Sequence, residues 1–119
     1  MKELPQMLQA WFTENEERLR SCGVTGDIQR SPDDGRSKTS ARMTVETDGC
    51  VAMLIVWDSG EAELECGDLA SGQVQQEHRD LRTPGELFDA IETVLARVSD
   101  GRWMATGFIH GLWDQARIP

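Results

Sequence analysis

The sequence predicts an α+β domain: a helix, an antiparallel β-meander of about four strands and a second helix, with both helices on one face of the sheet and an apolar C-terminal tail. Three observations lead there. Apolar residues recur at three- and four-residue spacing near both ends of the chain, and at strict two-residue spacing between them, and turn signals separate the alternating runs.

Residues 4–22 carry the first helical pattern. Leu4, Met7, Leu8, Trp11, Phe12 and Leu19 share one face, while Glu14, Glu16, Glu17, Arg18 and Arg20 face away. Pro5 suits a first turn, where its missing N–H costs nothing. Gly23 is placed to stop the helix in a left-handed conformation. The stretch 24–38 (VTGDIQRSPDDGRSK) is dense in Gly, Pro, Asp and Ser and reads as a mobile connection, although Val24 to Gln29 could form a short strand.

The middle of the chain sets the sheet. Asp48-Gly49 between two strand-like runs predicts a two-residue type I′ hairpin. That turn pairs Val45 with Ala52, Met43 with Leu54 and Ala41 with Val56, all apolar and all on one face. Asp58-Ser59-Gly60 then predicts a three-residue loop, a type I turn ending in a left-handed Gly, which pairs Val56 with Ala62, Leu54 with Leu64 and Ala52 with Cys66. A two-residue loop would instead set Glu63 and Glu65 among those apolar partners, and one residue of slip moves a strand's whole apolar set to the wrong face. A polar fourth strand, about Gln73 to Arg79, follows the loop Asp68 to Gly72 and suits a sheet edge.

Thr83-Pro84-Gly85-Glu86 opens the second helix, with Thr83 as N-cap, Pro84 at the first position and Glu86 completing a capping box. Its stripe is Leu87, Phe88, Ile91, Val94, Leu95 and Val98, and Asp100-Gly101 ends it. Residues 1–100 thus form one domain. Residues 101–119 (with Trp103, Met104, Phe108, Ile109, Leu112 and Trp113) form a tail expected to pack on that domain or on a partner; Gly107 and Gly111 weaken its helical reading.

Composition narrows the function. At 119 residues, 39% hydrophobic and 28% charged, the chain has the make-up of an ordinary globular domain. No run approaches the ~20 apolar residues of a membrane span, and the first residues lack a signal-peptide core, so the expected compartment is the cytoplasm and no membrane partner is expected. Twelve basic residues against 21 acidic ones, a net of −9, argue against nucleic acid. Cys22, Cys50 and Cys66 are odd in number and widely spaced, with no CxxC pair and two histidines in the chain. They read as reduced, buried thiols, with no metal and no cofactor expected.

Candidate sites follow from the sheet's other face. Val51, Met53, Ile55 and Trp57 make an apolar stripe, flanked by Arg42, Thr44 and Glu46 on one side and Glu61, Glu63 and Glu65 on the other. An apolar groove rimmed by carboxylates suits a basic partner. The alternatives are that the tail, or a second copy of the chain, covers it.

The three glutamates could in principle hold a cation or act as an acid–base pair, since residues i and i+2 on a strand lie ~6.5 Å apart. A solvated strand face is the plainer reading. His78 and His110 have no nucleophile and acid at recognisable spacing, Asp58-Ser59-Gly60 is a turn and not a nucleophile elbow, and Asp33-Asp34-Gly35 lacks the spaced acids of a calcium loop. No catalytic residue is assigned, and the chain reads as a binding protein, not an enzyme.

The run SARMTVET–DG–CVAMLIVWDSGEAELE, followed by DLASGQVQQEHRDL and TPGELFDAIETVL, resembles the TriTu family of small bacterial immunity proteins, over about residues 5–98. The resemblance implies a non-enzymatic protein that binds and neutralises a cognate toxin of inter-bacterial competition, by occlusion, and that toxin is often basic. Combined with the sheet reading, the expected contacts are Met53, Ile55, Trp57, Asp58, Glu61, Glu63 and Glu65, with Trp57 as anchor. The alternative is a small acidic secretion-chaperone-like or adaptor protein that homodimerises.

Overall fold

A computed structural model describes residues 3–31 and 38–99. The elements run α1 (Leu4–Ser21), β1 (Thr25–Arg30), β2 (Ser40–Glu46), β3 (Cys50–Trp57), β4 (Glu61–Asp68), β5 (Val74–Asp80) and α2 (Pro84–Val98). The five strands form one antiparallel sheet in chain order, β1-β2-β3-β4-β5. Sequence reading expects about four strands. The additional one is β1, whose residues Thr25 to Arg30 pair with Glu46 to Ala41 instead of forming part of a mobile connection. Its turn-prone composition is overridden because the edge of β2 offers a full backbone ladder.

The register of the central strands is as the turns dictate. Ala41, Met43 and Val45 face Val56, Leu54 and Ala52, and these in turn face Ala62, Leu64 and Cys66. Apart from Cys66, these residues are at most 2% exposed. Both helices pack on this inner face, α1 against β1, β2 and β3, and α2 chiefly against β3 and β4.

At the Asp58–Gly60 turn the Gly60 N–H donates to the Trp57 carbonyl at 2.9 Å, and Gly60 has φ +97°. A Cβ there would lie 2.6 Å from the Leu81 carbonyl oxygen, so only glycine fits. The Asp48-Gly49 loop keeps its expected length, with Thr47 N–H donating to Cys50 O at 2.9 Å. Gly49, however, is not among the positive-φ glycines, so the turn is not the expected type I′. The Gly49 carbonyl accepts from Leu69 N–H at 3.0 Å, a bond that ties the hairpin tip to the end of β4.

Helix α1 ends as its sequence suggests. Gly23 has φ +82°, its N–H donates to Arg20 O, and Val24 N–H donates back to Leu19 O. This is the Schellman arrangement, with its apolar contact supplied by buried Leu19 and Val24.

In α2, Thr83 Oγ1 accepts from Glu86 N–H at 3.1 Å. The Glu86 carboxylate reaches one residue beyond the expected capping box, accepting from Arg82 N–H rather than from Thr83. Phe88, expected in the core, is 39% exposed, and Ala90 is buried in its stead. Phe88 lies at the border of the apolar stripe, where it lines a cleft shared with Trp11 of α1 instead of meeting the sheet. Thr47 Oγ1 donates to Val98 O at 2.9 Å and satisfies a carbonyl of the helix's last turn. The helix is capped at Ser99; the expected Asp100-Gly101 stop and the 101–119 tail lie outside the described residues.

Candidate partner-binding face

Because side chains alternate across a strand, the register that buries Leu54 turns its neighbours outward. Val51, Met53, Ile55 and Trp57 therefore line the middle of the outer face, each half-buried. Arg42, Thr44 and Glu46 stand beside Ile55, Met53 and Val51 on β2. On β4, Glu63 and Glu65 stand beside Ile55 and Met53. These are the flanks that the turn lengths predict.

The β4–β5 register, which sequence reading leaves open, adds a second rank to the acidic side. Asp80, His78 and Gln76 lie opposite Glu61, Glu63 and Glu65. A signal for it exists in the loop: Gly72 is left-handed, and Asp68 closes the turn with its main chain and its carboxylate, which accepts from Ala70 N–H and Ser71 Oγ. Those bonds set Val74 opposite Gly67.

Each acid of the rank has a partner. Glu61 takes Lys38 Nζ at 3.0 and 3.1 Å, and the same ammonium lies 5.7 Å from the centre of the Trp57 ring. Glu65 accepts from Gln76 Nε2 at 2.8 Å. His78 is held between two carboxylates, Nδ1 against Glu63 Oε2 and Nε2 3.1 Å from Asp80 Oδ1.

Hydrogen bonds to Glu63 first, and to Asp80 second, favour the doubly protonated ring and raise its pKa above the usual 6.5. With both ring nitrogens committed to carboxylates, His78 has none left to activate a nucleophile. Asp58 differs from the glutamates. Its Oδ2 accepts from Thr39 N–H and Thr39 Oγ1, both at 3.1 Å, and pins the segment leading into β2.

The inner side of β5 is charged as well but serves the fold. Glu77 accepts from Arg79 Nε at 2.5 Å and from Arg97 at 2.9 Å, which fastens the edge strand to α2. Those two bonds, Arg79's first, hold the Glu77 carboxyl below the usual carboxylate range. Among the described residues no three His, Cys, Asp or Glu side chains converge as a metal site would. Nor, among them, is any helix long and apolar enough to cross a membrane.

The cysteines depart from expectation. None of the three is in a disulfide, and none is fully buried. Cys50 and Cys66 sit at the end of the inner face where the β2–β3 and β4–β5 turns meet. Among the described residues, the last turn of α2 covers that end incompletely and borders a cleft with Cys50, Cys66 and Val98.

The family model for the immunity protein TriTu matches residues 6–97, from the first turn of α1 to the last turn of α2. The chain belongs to the TriTu immunity protein family. The TriTu match thus takes in both helices, all five strands and every residue of the outer-face rank. It gives the protein an immunity role and implies a toxin as partner. No curated protein matches the chain.

Proposed function

We propose that this TriTu protein is a non-enzymatic inhibitor that binds a cognate toxin domain through the outer face of its sheet, in the cytoplasm of the cell that makes the toxin. The observation that carries the reading is the apolar stripe of Met53, Ile55 and Trp57 bordered by Glu61, Glu63 and Glu65. An apolar centre with a charged rim is the usual anatomy of a specific protein interface. The rim's sign, on a chain of net charge −9, fits a basic toxin surface. Trp57 is the anchor to be buried. The glutamates steer the encounter and exchange Lys38, Gln76 and His78 for cations of the toxin. Asp58, bonded to Thr39, holds the margin of the face in place.

The test is association kinetics with the cognate toxin domain. Reversing Glu61, Glu63 and Glu65 together to Lys should slow association at least about tenfold at low salt and flatten its salt dependence. Trp57→Ala should act on dissociation, costing about 2 kcal/mol or more of binding energy. Unchanged rates in the triple variant would remove this face from consideration. If the chain alone migrates as a dimer that the triple variant dissolves, the face is a seam between two copies.

A further inference from the structure

The observation that no part of the proposed function uses is the pair of thiols on the opposite side of the sheet. Cys50 lies opposite Asp68, and Cys66 lies opposite Ala52, so the two cysteines are diagonal neighbours on adjacent strands. Both face inward, and their Sγ atoms are 3.0 Å apart. Both border a cleft of about 660 Å³ at the end of the sheet. We infer that Cys50 and Cys66 are a modification site, an oxidisable dithiol at which hydrogen peroxide closes an intramolecular disulfide between β3 and β4.

The geometry asks for little movement, since the sulfurs need approach only from 3.0 Å to the ~2.05 Å of a disulfide. Cys50 begins β3 directly after the turn at Asp48-Gly49, where the backbone can follow that shift more easily than in mid-strand. The third thiol, Cys22, lies at the C-cap of α1 and is no part of the pair.

Burial first, then the contact with Cys66, pushes the Cys50 thiol up to about 12, so Cys50 keeps its proton. In the first step Cys66 gives its proton to solvent and its sulfur attacks one peroxide oxygen. The O–O bond breaks and leaves a sulfenic acid on Cys66; the departing hydroxide takes the Cys50 proton and becomes water. The Cys50 sulfur then attacks the Cys66 sulfur, the S–O bond breaks, and the second hydroxide is protonated by solvent. Two thiols are oxidised to one disulfide, and peroxide is reduced to two waters.

The experiment uses the full chain, reduced, freed of reductant, exposed to hydrogen peroxide and then alkylated. The expected product is a monomer lighter by two hydrogens before alkylation, with Cys50 and Cys66 joined in the peptide map and Cys22 alkylated. Cys50→Ser should lose the internal disulfide and accumulate sulfenic and sulfinic acid on Cys66. A product in which Cys50 and Cys66 are both still alkylated would overturn the inference. So would an internal disulfide that persists in Cys50→Ser, or a chain joined to a second chain through Cys22.

Discussion

The two faces of this sheet are built by the same strands, residue by residue in alternation, yet they are organised by different rules. On the inner face each row runs apolar across three strands, as in Met43–Leu54–Leu64. No member of that row is more than 1% exposed. On the outer face a row runs Gln29–Arg42–Ile55–Glu63–His78, with an apolar residue in mid-sheet and charge on both sides. The inner rows are satisfied by the protein's own helices. The outer rows end in ion pairs and hydrogen bonds between exposed groups, which contribute little to stability and can be exchanged for a partner's charges.

The sharpest test of that contrast uses consecutive residues. Leu54→Ala, on the inner face, should lower stability by about 2–5 kcal/mol, whereas Ile55→Ala, on the outer face, should cost about 1 kcal/mol or less and weaken toxin binding instead. Urea midpoints decide it: equal losses would mean that the outer stripe belongs to a core too.

Gly60 decides which residues belong to which face, since its left-handed turn sets the three-residue loop. Gly60→Ala should cost about 1–3 kcal/mol from backbone strain, and more as its Cβ meets the Leu81 carbonyl. A variant as stable as the parent would mean that the turn can take another form.

The smallest effect concerns charge alone. Protonated His78 screens Glu63 and Asp80, so its ion pairs hold fully below pH 6.5 and fade as pH rises through its higher folded value. Association with a basic toxin should then quicken severalfold, as the two carboxylates are unmasked, and His78→Asn should remove that pH dependence. An NMR titration midpoint for His78 at or below 6.5 would contradict the arrangement.

Much of the inner face was legible because the features that set it carry their own chemical signatures: Gly60, the apolar partners at two-residue spacing, and Thr83 with Pro84. The outer stripe and the flanking Glu61, Glu63 and Glu65 followed from the same register, being its complement. What escaped the sequence lies at the edges. β1, which the sequence leaves as one option for Val24 to Gln29, is obscured by Gly26 and Asp27, residues poor in strand propensity; the ladder of β2 and the packing of α1 against it make it a strand. The places of His78 and Asp80 opposite Glu63 and Glu61 depend on how the Asp68–Gly72 loop closes, and an all-polar strand has no apolar set to fix its own register. The meeting of Cys50 and Cys66 is a diagonal contact, which pairwise register alone does not flag.

The order of the strands along the chain has a consequence for how the protein is made. Every strand pairs with its immediate predecessor, so the sheet can zip up as it leaves the ribosome, each step closing only a short loop. Helix α2 emerges after all five strands and seals the inner face over β3 and β4. Until it docks, the rows through Leu54 and Leu64 remain open to water and to other nascent chains. The Thr47–Val98 hydrogen bond, spanning 51 residues, marks the moment when a chain competent to aggregate becomes one competent to protect.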